Sequence, residues 1–301
     1  MTNEEHLAEI TAQNSLIHVK QFIARMPNLP ATVMKVLEIC NDSSSSPNEL
    51  KKVIELDPVL TGKVLKLINS AYYSFPVKNI SLTRAIIMLG LNTVKNLALA
   101  TSLLTVFKSN SALRGGTVDM FWEHSLRVGV TAKIIAQTLQ IPVGEQEEYF
   151  LAGLLHDLGK LPLMACFEKV YIQIIHDAAQ QKVSSCEAEK CFLKLDHCQV
   201  NWFIAEKWNL GPSFSNVLVY HHAPFKYPLV SHGLLHTVSL ANQLIHHFQV
   251  NDDKVDPYEL EQTKFFKQNR QIDVEKLLSL QPEIEEQIEG ARVFLKISGK
   301  G

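Results

Sequence analysis

The sequence lacks the features of a nucleic-acid-binding protein or a membrane protein. Its 29 Lys and Arg residues are balanced by 31 Asp and Glu residues, for a formal net charge of -2, and they form no long basic run. Without a basic field to attract phosphates, binding to nucleic acid is not expected.

The N-terminal segment, MTNEEHLAEI, carries three glutamates where a signal peptide would carry positive charge. The best candidate for a spanning segment, LALATSLLTVF, is well short of the ~20 residues that cross a bilayer. We therefore expect a cytoplasmic protein that contacts no membrane.

Cysteine is also scarce, and its arrangement does not indicate disulfides. The chain has five cysteines, an odd number, and no C-x-x-C pair: Cys40, Cys166, Cys186, Cys191 and Cys198. This usage is typical of reduced thiols in a cytosol. The last three lie close to His197, and a zinc site is an alternative interpretation. Their spacing, however, matches no common structural zinc pattern.

Alternation of apolar and polar residues, the mark of a half-buried strand, is missing over any useful length, whereas helix signals recur. The segments Ser46–Glu49 and Ser184–Glu187 both read as capping boxes at the start of a helix. Asp57 followed by Pro58 predicts that one helix ends and another begins. With 46% apolar residues the chain can form a substantial core, so we predict an all-α fold.

Two changes in composition divide the chain. The polar, glycine-containing segment SNSALRGGTV at 109–118 predicts an exposed boundary between two helical blocks. A second change near residue 250 introduces a charged segment that is poor in core residues. We expect an N-terminal helical subdomain at 1–112, a second helical subdomain at 113–250 and a C-terminal helical extension at 251–301.

Ten of the twelve histidines follow the boundary segment. Several of them, with one aspartate, lie on or at the end of separate predicted helices: His124, His156, Asp157, His197, His221 and His222. A helical bundle can gather such side chains at one interior point, where imidazoles with a carboxylate suit iron, manganese, zinc or nickel. The alternative is that each histidine is a hydrogen-bonded core residue, which is the commoner role for a single histidine. His176, His232, His236, His246 and His247 are interpreted as ordinary histidines, with the last two solvated.

Three aromatic residues, Tyr72, Tyr73 and Phe75, lie in a predicted turn within INSAYYSFPVKNIS. Aromatic residues in such a turn are a plausible contact patch for a partner protein. The alternative is that they only seal the joint between helices, since aromatic residues are primarily core residues.

Several longer motifs point to a known family. The N-terminal half contains MPNLPATVMKVLEICND, IELDPVLTGKVLKLINSAYYSF and ISLTRAIIMLG. The second half contains FLAGLLHDLGKLPL, a glutamate at 187 ten residues before His197, AEKWNLG and VYHHAPF. In this order the motifs resemble the HDOD family of bacterial signalling proteins, which is related to the HD superfamily of metal-dependent phosphohydrolases. The resemblance implies a multi-helical HD-like bundle with an additional N-terminal helical subdomain.

The departures from the catalytic HD pattern bear on function. Catalytic members end their ligand set with an aspartate, and the residue at the corresponding place here is Asn242. An amide oxygen can coordinate a metal but brings no charge to offset a dication. The segment HHAPFKYP also lacks the D-G-x-G-Y-P loop of cyclic-dinucleotide phosphodiesterases, although Lys160 remains available as a phosphate contact.

The resemblance and its departures together imply a non-catalytic or weakly catalytic regulatory protein that binds a partner protein or a small nucleotide-like ligand. A divalent transition metal is an optional cofactor in this interpretation. The alternative is a metal-dependent phosphohydrolase acting on a nucleotide or cyclic dinucleotide.

Overall fold

The computed structural model describes residues 3–41, 45–70, 72–73, 75, 79–109, 116–226, 233–250 and 274–297. These residues form helices joined by short turns, and no β-strand occurs in the part of the chain they cover. The all-α prediction is therefore confirmed.

The N-terminal half consists of six helices: α1 (Asn3–Arg25), α2 (Ala31–Asn41), α3 (Pro47–Glu55), α4 (Pro58–Ile68), α5 (Leu82–Leu89) and α6 (Leu91–Ser109). Their starts follow local signals in the sequence. Ser46 and Glu49 form the predicted capping box of α3. Asp57 accepts hydrogen bonds from the first backbone amides of α4, which begins at Pro58.

Between Gly116 and Val250 the described residues form eight helices and one short 3-10 turn. They are α7 (Gly116–Thr138), α8 (Val143–Leu155), α9 (Lys160–Cys166), α10 (Glu168–Gln181), α11 (Ser185–Leu193), α12 (His197–Trp208), α13 (Pro212–Tyr220), the turn Pro224–Lys226 and α14 (Gly233–Val250). Ser184 and Glu187 cap α11 as predicted. Asp196 and Gln199 form a further capping box that fixes the start of α12 at His197.

Helices α7 and α8 cross at two glycines. A Cβ atom built on Gly153 would lie 2.7 Å from the Cα of Gly129, and one built on Gly129 would lie 2.8 Å from the carbonyl oxygen of Phe150. Only residues without a side chain allow the two backbones to come this close. The crossing sets the distance between His124 on α7 and His156 at the end of α8.

Three short helices follow near the C-terminus: α15 (Val274–Ser279), α16 (Gln281–Ala291) and α17 (Val293–Ile297). They are attached to α7 by ion pairs between Arg127 and Glu285 and between Arg292 and Glu123. The Phe294 ring on α17 lies 4.6 Å from that of Phe150, measured between ring centroids. These helices therefore contribute to the main core.

One continuous apolar cluster runs through the described residues, from Val19 on α1 to Phe294 on α17. Most of the predicted boundary segment at 109–118 lies outside the described residues, as does most of the charged segment after residue 250. The division into two subdomains and an extension therefore stays a prediction.

Within the described ranges, no helix taken alone has the length and apolar character needed to cross a bilayer. The pair Leu82–Leu89 and Leu91–Phe107 meets the criterion only when joined across a bend of 118°.

Candidate metal centre

Five of the predicted ligands meet in the interior. The Asp157 carboxylate is at their centre: its Oδ1 lies 3.1 Å from His197 Nε2 and 3.4 Å from His221 Nε2. Its Oδ2 lies 3.2 Å from His156 Nε2 and 3.7 Å from His124 Nε2. The five side chains come from α7, the end of α8, the start of α12 and the end of α13. We call these five residues the central cluster.

Hydrogen bonds from Nδ1 to main-chain carbonyl oxygens orient two of the buried histidines, and their Nε2 atoms point toward the centre. His156 Nδ1 is 2.7 Å from the carbonyl oxygen of Gly153, and His221 Nδ1 is 3.0 Å from that of Val217. A carbonyl oxygen only accepts, so Nδ1 must carry a proton, and in the neutral ring Nε2 is then the lone-pair nitrogen. This is the tautomer in which histidine binds a metal through Nε2.

His197 is oriented by a carboxylate that the sequence analysis missed. Glu189, fully buried on α11, accepts hydrogen bonds from the His197 backbone amide at 2.8 Å and from His197 Nδ1 at 2.6 Å. It also accepts one from the Tyr171 hydroxyl at 2.6 Å. A carboxylate behind a ligating histidine fixes the ring and makes Nε2 a better donor to a metal.

Glu187, which the family pattern places ten residues before His197, does not make this contact. Glu187 is the exposed capping residue of α11, bonded to Ser184. The segment SCEAEK contains two glutamates, and the capping box already accounts for the first. Glu189 lies next to the apolar positions Ala188 and Cys186 and has no capping role, a signal that could have identified it.

Asn201 is a second residue that the sequence analysis missed. Its side-chain amide donates to the carbonyl oxygens of His156 at 2.6 Å and Leu218 at 2.7 Å. Its Oδ1 accepts from the Gly159 amide at 2.6 Å. A Cβ on Gly159 would lie 2.1 Å from the His197 carbonyl oxygen, so only glycine fits there. Together these contacts hold the turn after α8 against α12 and α13.

The charges within the cluster determine which of its groups hold protons. Burial alone would raise the pKa of Asp157, but His156, Lys160 and His197 outweigh it and hold that pKa well below its usual range. Burial alone would lower the pKa of His197, yet Glu189 and Asp157 raise it to about 10. For His221 burial prevails and lowers the pKa to about 4. Asp157 is thus ionised, and His221 is neutral and available as a ligand at neutral pH.

Lys160 neutralises the central carboxylate. Its Nζ lies 2.6 Å from Asp157 Oδ2, and its side chain is largely buried. Burial opposes protonation, but Asp157 and Glu189 raise the pKa of Lys160 above its ordinary value. The only carboxylate inside the cluster is therefore already paired with a cation.

Asn242 lies on the face of α14 that is turned toward the cluster. Ser239, three residues earlier, donates to the His221 carbonyl oxygen at 2.6 Å. His246, four residues later, has its ring 5.1 Å from that of His124. Residues at this spacing share one helix face. His246 was expected to be an ordinary solvated histidine; its ring is exposed, but it borders the cluster.

His222 differs from its neighbour in the chain. Its ring lies 4.3 Å from that of His221 and 5.0 Å from that of His197, but it is exposed. It therefore lies on the solvent side of the cluster.

Of the histidines interpreted as ordinary, His236 is buried against Phe225. His232 lies outside the described residues.

The residues of this centre fit a divalent transition metal. Of the buried side-chain atoms without a hydrogen-bond partner of good geometry in the described structure, four belong to this centre: His124 Nε2, His156 Nε2, Asp157 Oδ1 and Asn242 Oδ1. Buried polar atoms are normally paired, and unpaired ones are costly. A cation among them would satisfy the lone pairs at once, and the donor set of imidazoles, carboxylate and amide suits the metals named above.

The aromatic turn packs inward. The Tyr72 ring lies 5.8 Å from that of Phe150 and 5.4 Å from that of Phe294, and Tyr73 and Phe75 are partly buried against the core. Lys133 lies 4.4 Å above the Tyr72 ring. These contacts favour the alternative interpretation, in which the aromatic residues seal a joint between helices. Binding of a partner at this turn stays a prediction.

The fold and the site define an all-helical protein with a buried histidine and aspartate cluster of the HD type. The sequence pattern of the HDOD domain matches residues 26–224. The chain therefore belongs to the HDOD domain family.

Solved structures share this fold. An HDOD domain protein of unknown function from Geobacter sulfurreducens is 22% identical, with a TM-score of 0.75 over 94% of this chain and 98% of that one. A protein from Shewanella amazonensis, provisionally named a phosphohydrolase, is 21% identical, with a TM-score of 0.69 over 92% and 98%. A protein from Marinobacter aquaeolei, provisionally named a signal transduction protein, is 20% identical, with a TM-score of 0.72 over 96% and 66%.

Among curated proteins, an uncharacterized protein of Treponema pallidum is 24% identical over 228 residues. The match includes 73% of this chain but only 42% of the relative. The chain thus matches less than half the length of that relative.

Proposed function

We propose that this protein is a bacterial, cytoplasmic signal-transduction protein that acts by binding a partner protein or a small ligand, with little or no catalytic activity. One observation carries the proposal: the central cluster has a single carboxylate, Asp157, and Lys160 already neutralises it. The position where catalytic HD proteins place a further aspartate holds Asn242, which is buried and uncharged.

The chemistry of phosphate ester hydrolysis explains why the small number of carboxylates limits catalysis. A metal-dependent hydrolase must bind an anionic substrate and hold a deprotonated water, and in two-metal sites it must keep two dications close together. Anionic ligands reduce the repulsion between those dications. Here neutral imidazoles provide most of the donors, so the site is suited to hold one metal and poorly suited to hold two.

A small ligand has a place to bind beside the cluster. An open cleft of about 520 Å³ lies next to His222, lined by the aromatic residues Trp202, Phe203 and Tyr220 and by Lys190 and Lys226. Its volume falls in the range of small-molecule sites. Aromatic faces with two cations are chemically suited to a nucleotide-like ligand, which supports the small-ligand form of the proposal.

The alternative function is a metal-dependent phosphohydrolase acting on a nucleotide or cyclic dinucleotide. It is favoured by the lone pairs of His124 Nε2 and His156 Nε2, which are buried without hydrogen-bond partners as in an intact ligand set. In this alternative a bound metal would activate water, and Lys160 would contact the phosphate.

A paired assay separates the two functions. The unmodified protein and its Asn242→Asp variant are each incubated with nucleotides and cyclic dinucleotides in the presence of manganese or iron. The proposal expects little or no turnover by the unmodified protein, and activity only where the aspartate is restored. Metal-dependent turnover by the unmodified protein at about 1 per second or faster would establish the alternative.

A further inference from the structure

A second group of metal-binding side chains lies beside the central cluster. Cys186, Asp196 and Cys198 each offer one ligand atom, and these three atoms lie within 4.8 Å of one another. The Cys186 thiol is 3.2 Å from Asp196 Oδ2. All three residues are buried. Two ligands on one tetrahedral zinc ion are separated by roughly 3.8 Å when both bonds are ~2.3 Å, so this spacing is compatible with a shared ion.

The turn between α11 and α12 brings these residues together. Cys186 is in the first turn of α11, Asp196 is the N-cap of α12 and Cys198 is the second residue of that helix. The spacing in the sequence did not reveal the group, because its two cysteines are twelve residues apart and belong to two different helices. Cys191, which the sequence analysis had grouped with them, is exposed and does not take part.

A cation already occupies this position. The Lys190 ammonium lies 2.8 Å from Asp196 Oδ2 and 3.7 Å from the Cys186 sulfur. The Lys190 side chain is 57% exposed, so it can swing into solvent when a metal ion replaces it. The cleft described above is lined by Cys186, Asp196 and Cys198, and provides a path for an ion to enter.

We propose that Cys186, Asp196 and Cys198 bind a zinc-type divalent cation, with the fourth coordination position open to the cleft. Two thiolates and a carboxylate offset the charge of a dication, and this donor set selects soft or borderline metals over magnesium or calcium. His222 lines the same cleft, and its ring nitrogen lies within 4.8 Å of the Cys198 sulfur, but it does not group with Cys186 and Asp196.

His222 lies between the two sites, since its ring nitrogen is within 4.8 Å of the ligand atoms of His197 and His221 as well as that of Cys198. The sequence assigned it to the central cluster, but its ring is exposed on the cleft side. The central cluster retains four histidines without it. The two sites adjoin through His197 and Cys198, which are consecutive in the chain, yet their carboxylates, Asp157 and Asp196, are different.

Cobalt provides a direct test, because Co²⁺ takes the place of zinc and absorbs strongly in the near ultraviolet only when thiolates bind it. The metal-free, reduced full-length protein is titrated with Co²⁺ and then with Zn²⁺. We expect a thiolate-to-cobalt band at one equivalent for this site that disappears when zinc displaces cobalt. Absence of the band in the unmodified protein would overturn the proposal.

Variants assign the band to these residues. Cys186→Ser and Cys198→Ser should each abolish or strongly weaken it, while Cys191→Ser, the exposed matched control, should leave it unchanged. Asp157→Asn, which alters only the central cluster, should also leave it unchanged. A band that survives both Cys186→Ser and Cys198→Ser, or that is lost in Cys191→Ser, would contradict the assignment.

A second readout does not depend on removing a thiol. Asparagine caps helices about as well as aspartate, so Asp196→Asn should preserve the start of α12 while weakening zinc binding by roughly tenfold or more. In the unmodified protein, zinc should protect Cys186 and Cys198 from alkylation, mapped by mass spectrometry, and should not protect Cys191. Equal alkylation of all three thiols with and without zinc would refute the site.

Discussion

At the scale of single residues, the candidate centre depends on side chains that hold the ligands as much as on the ligands themselves. Glu189 holds His197 by two hydrogen bonds, and main-chain carbonyls hold His156 and His221. Each of these contacts turns Nε2 toward Asp157. The orientation of the rings is thus set by contacts within the protein itself.

Replacement of Glu189 by glutamine tests this role. Glu189→Gln retains the shape and a hydrogen-bond acceptor but removes the charge behind His197, so we expect affinity for manganese or zinc at the centre to fall by about 10- to 100-fold. Isothermal titration of the metal-free protein measures the change. Glu187→Gln, on the same helix but exposed, is the matched control. An equal loss in both variants would show that the effect comes from α11 and not from His197.

The same variant should change the dependence of stability on pH. Because the folded-state pKa of His197 is raised to about 10, its protonation stabilises the fold fully below about pH 6.5, and this contribution is lost as the pH rises toward 10. In chelator, the free energy of unfolding of the unmodified protein should fall more steeply between pH 6.5 and 10 than that of Glu189→Gln. Parallel curves would contradict the assigned interaction.

The sequence predicted most of the side chains that meet at the centre and few of the residues that orient them. His124, His156, Asp157, His197 and His221 could be identified because each lies at a recognisable place on a helix and the order matches a known pattern. Glu189 and Asn201 could not, because their partners are 8 and 45 residues away and only the folded chain brings them into contact. Contacts between distant segments leave no periodic signal in the sequence.

At the scale of helices, the close crossing of α7 and α8 positions the centre. Gly129 and Gly153 let the two backbones touch, which places His124 beside His156 with ring centroids 5.5 Å apart. The capping boxes that start α3 and α11 were predictable from local sequence. The crossing was not, since a glycine within a helix indicates only that something approaches closely, and does not identify the neighbour.

A methyl group at the crossing should force the helices apart. We expect Gly153→Ala to destabilise the fold by about 2–3 kcal/mol and to weaken metal binding at the centre, because the added Cβ meets backbone atoms that cannot move aside. Denaturant unfolding and metal titration measure the two effects. Gly144→Ala on the same helix has open space around it and should be neutral or stabilising by about 0.5 kcal/mol. Similar behaviour of the two variants would show that the crossing is not tightly packed.

At the scale of the whole molecule, the described helices share one apolar core, and the C-terminal helices are part of it. Phe294 is buried between Tyr72 and Phe150, and ion pairs join α16 and its C-cap residue Arg292 to α7. Composition suggested two subdomains and a C-terminal extension, because charge and glycine content change near residues 110 and 250. That division stays a prediction, since a change in composition does not show which surfaces are buried together.

Removal of the Phe294 ring should therefore weaken the entire fold. Phe294→Ala is expected to cost about 3–5 kcal/mol of unfolding free energy and to lower the midpoint of a single cooperative transition. Circular dichroism and tyrosine fluorescence followed in urea provide the measurement. Phe192→Ala, at a partly exposed position on α11, is the control and should change stability by less than about 1 kcal/mol. A separate early transition in Phe294→Ala would indicate that the C-terminal helices unfold independently.

The regulatory function is tested most directly when metal content and turnover are measured on the same sample. Full-length protein is loaded with manganese or iron, the bound metal is determined by elemental analysis, and the sample is then incubated with nucleotides and cyclic dinucleotides. The account predicts bound metal that is lost in Asp157→Asn, together with turnover far below the ~1 per second of an ordinary enzyme. Turnover at or above about 1 per second that depends on Asp157 would contradict it.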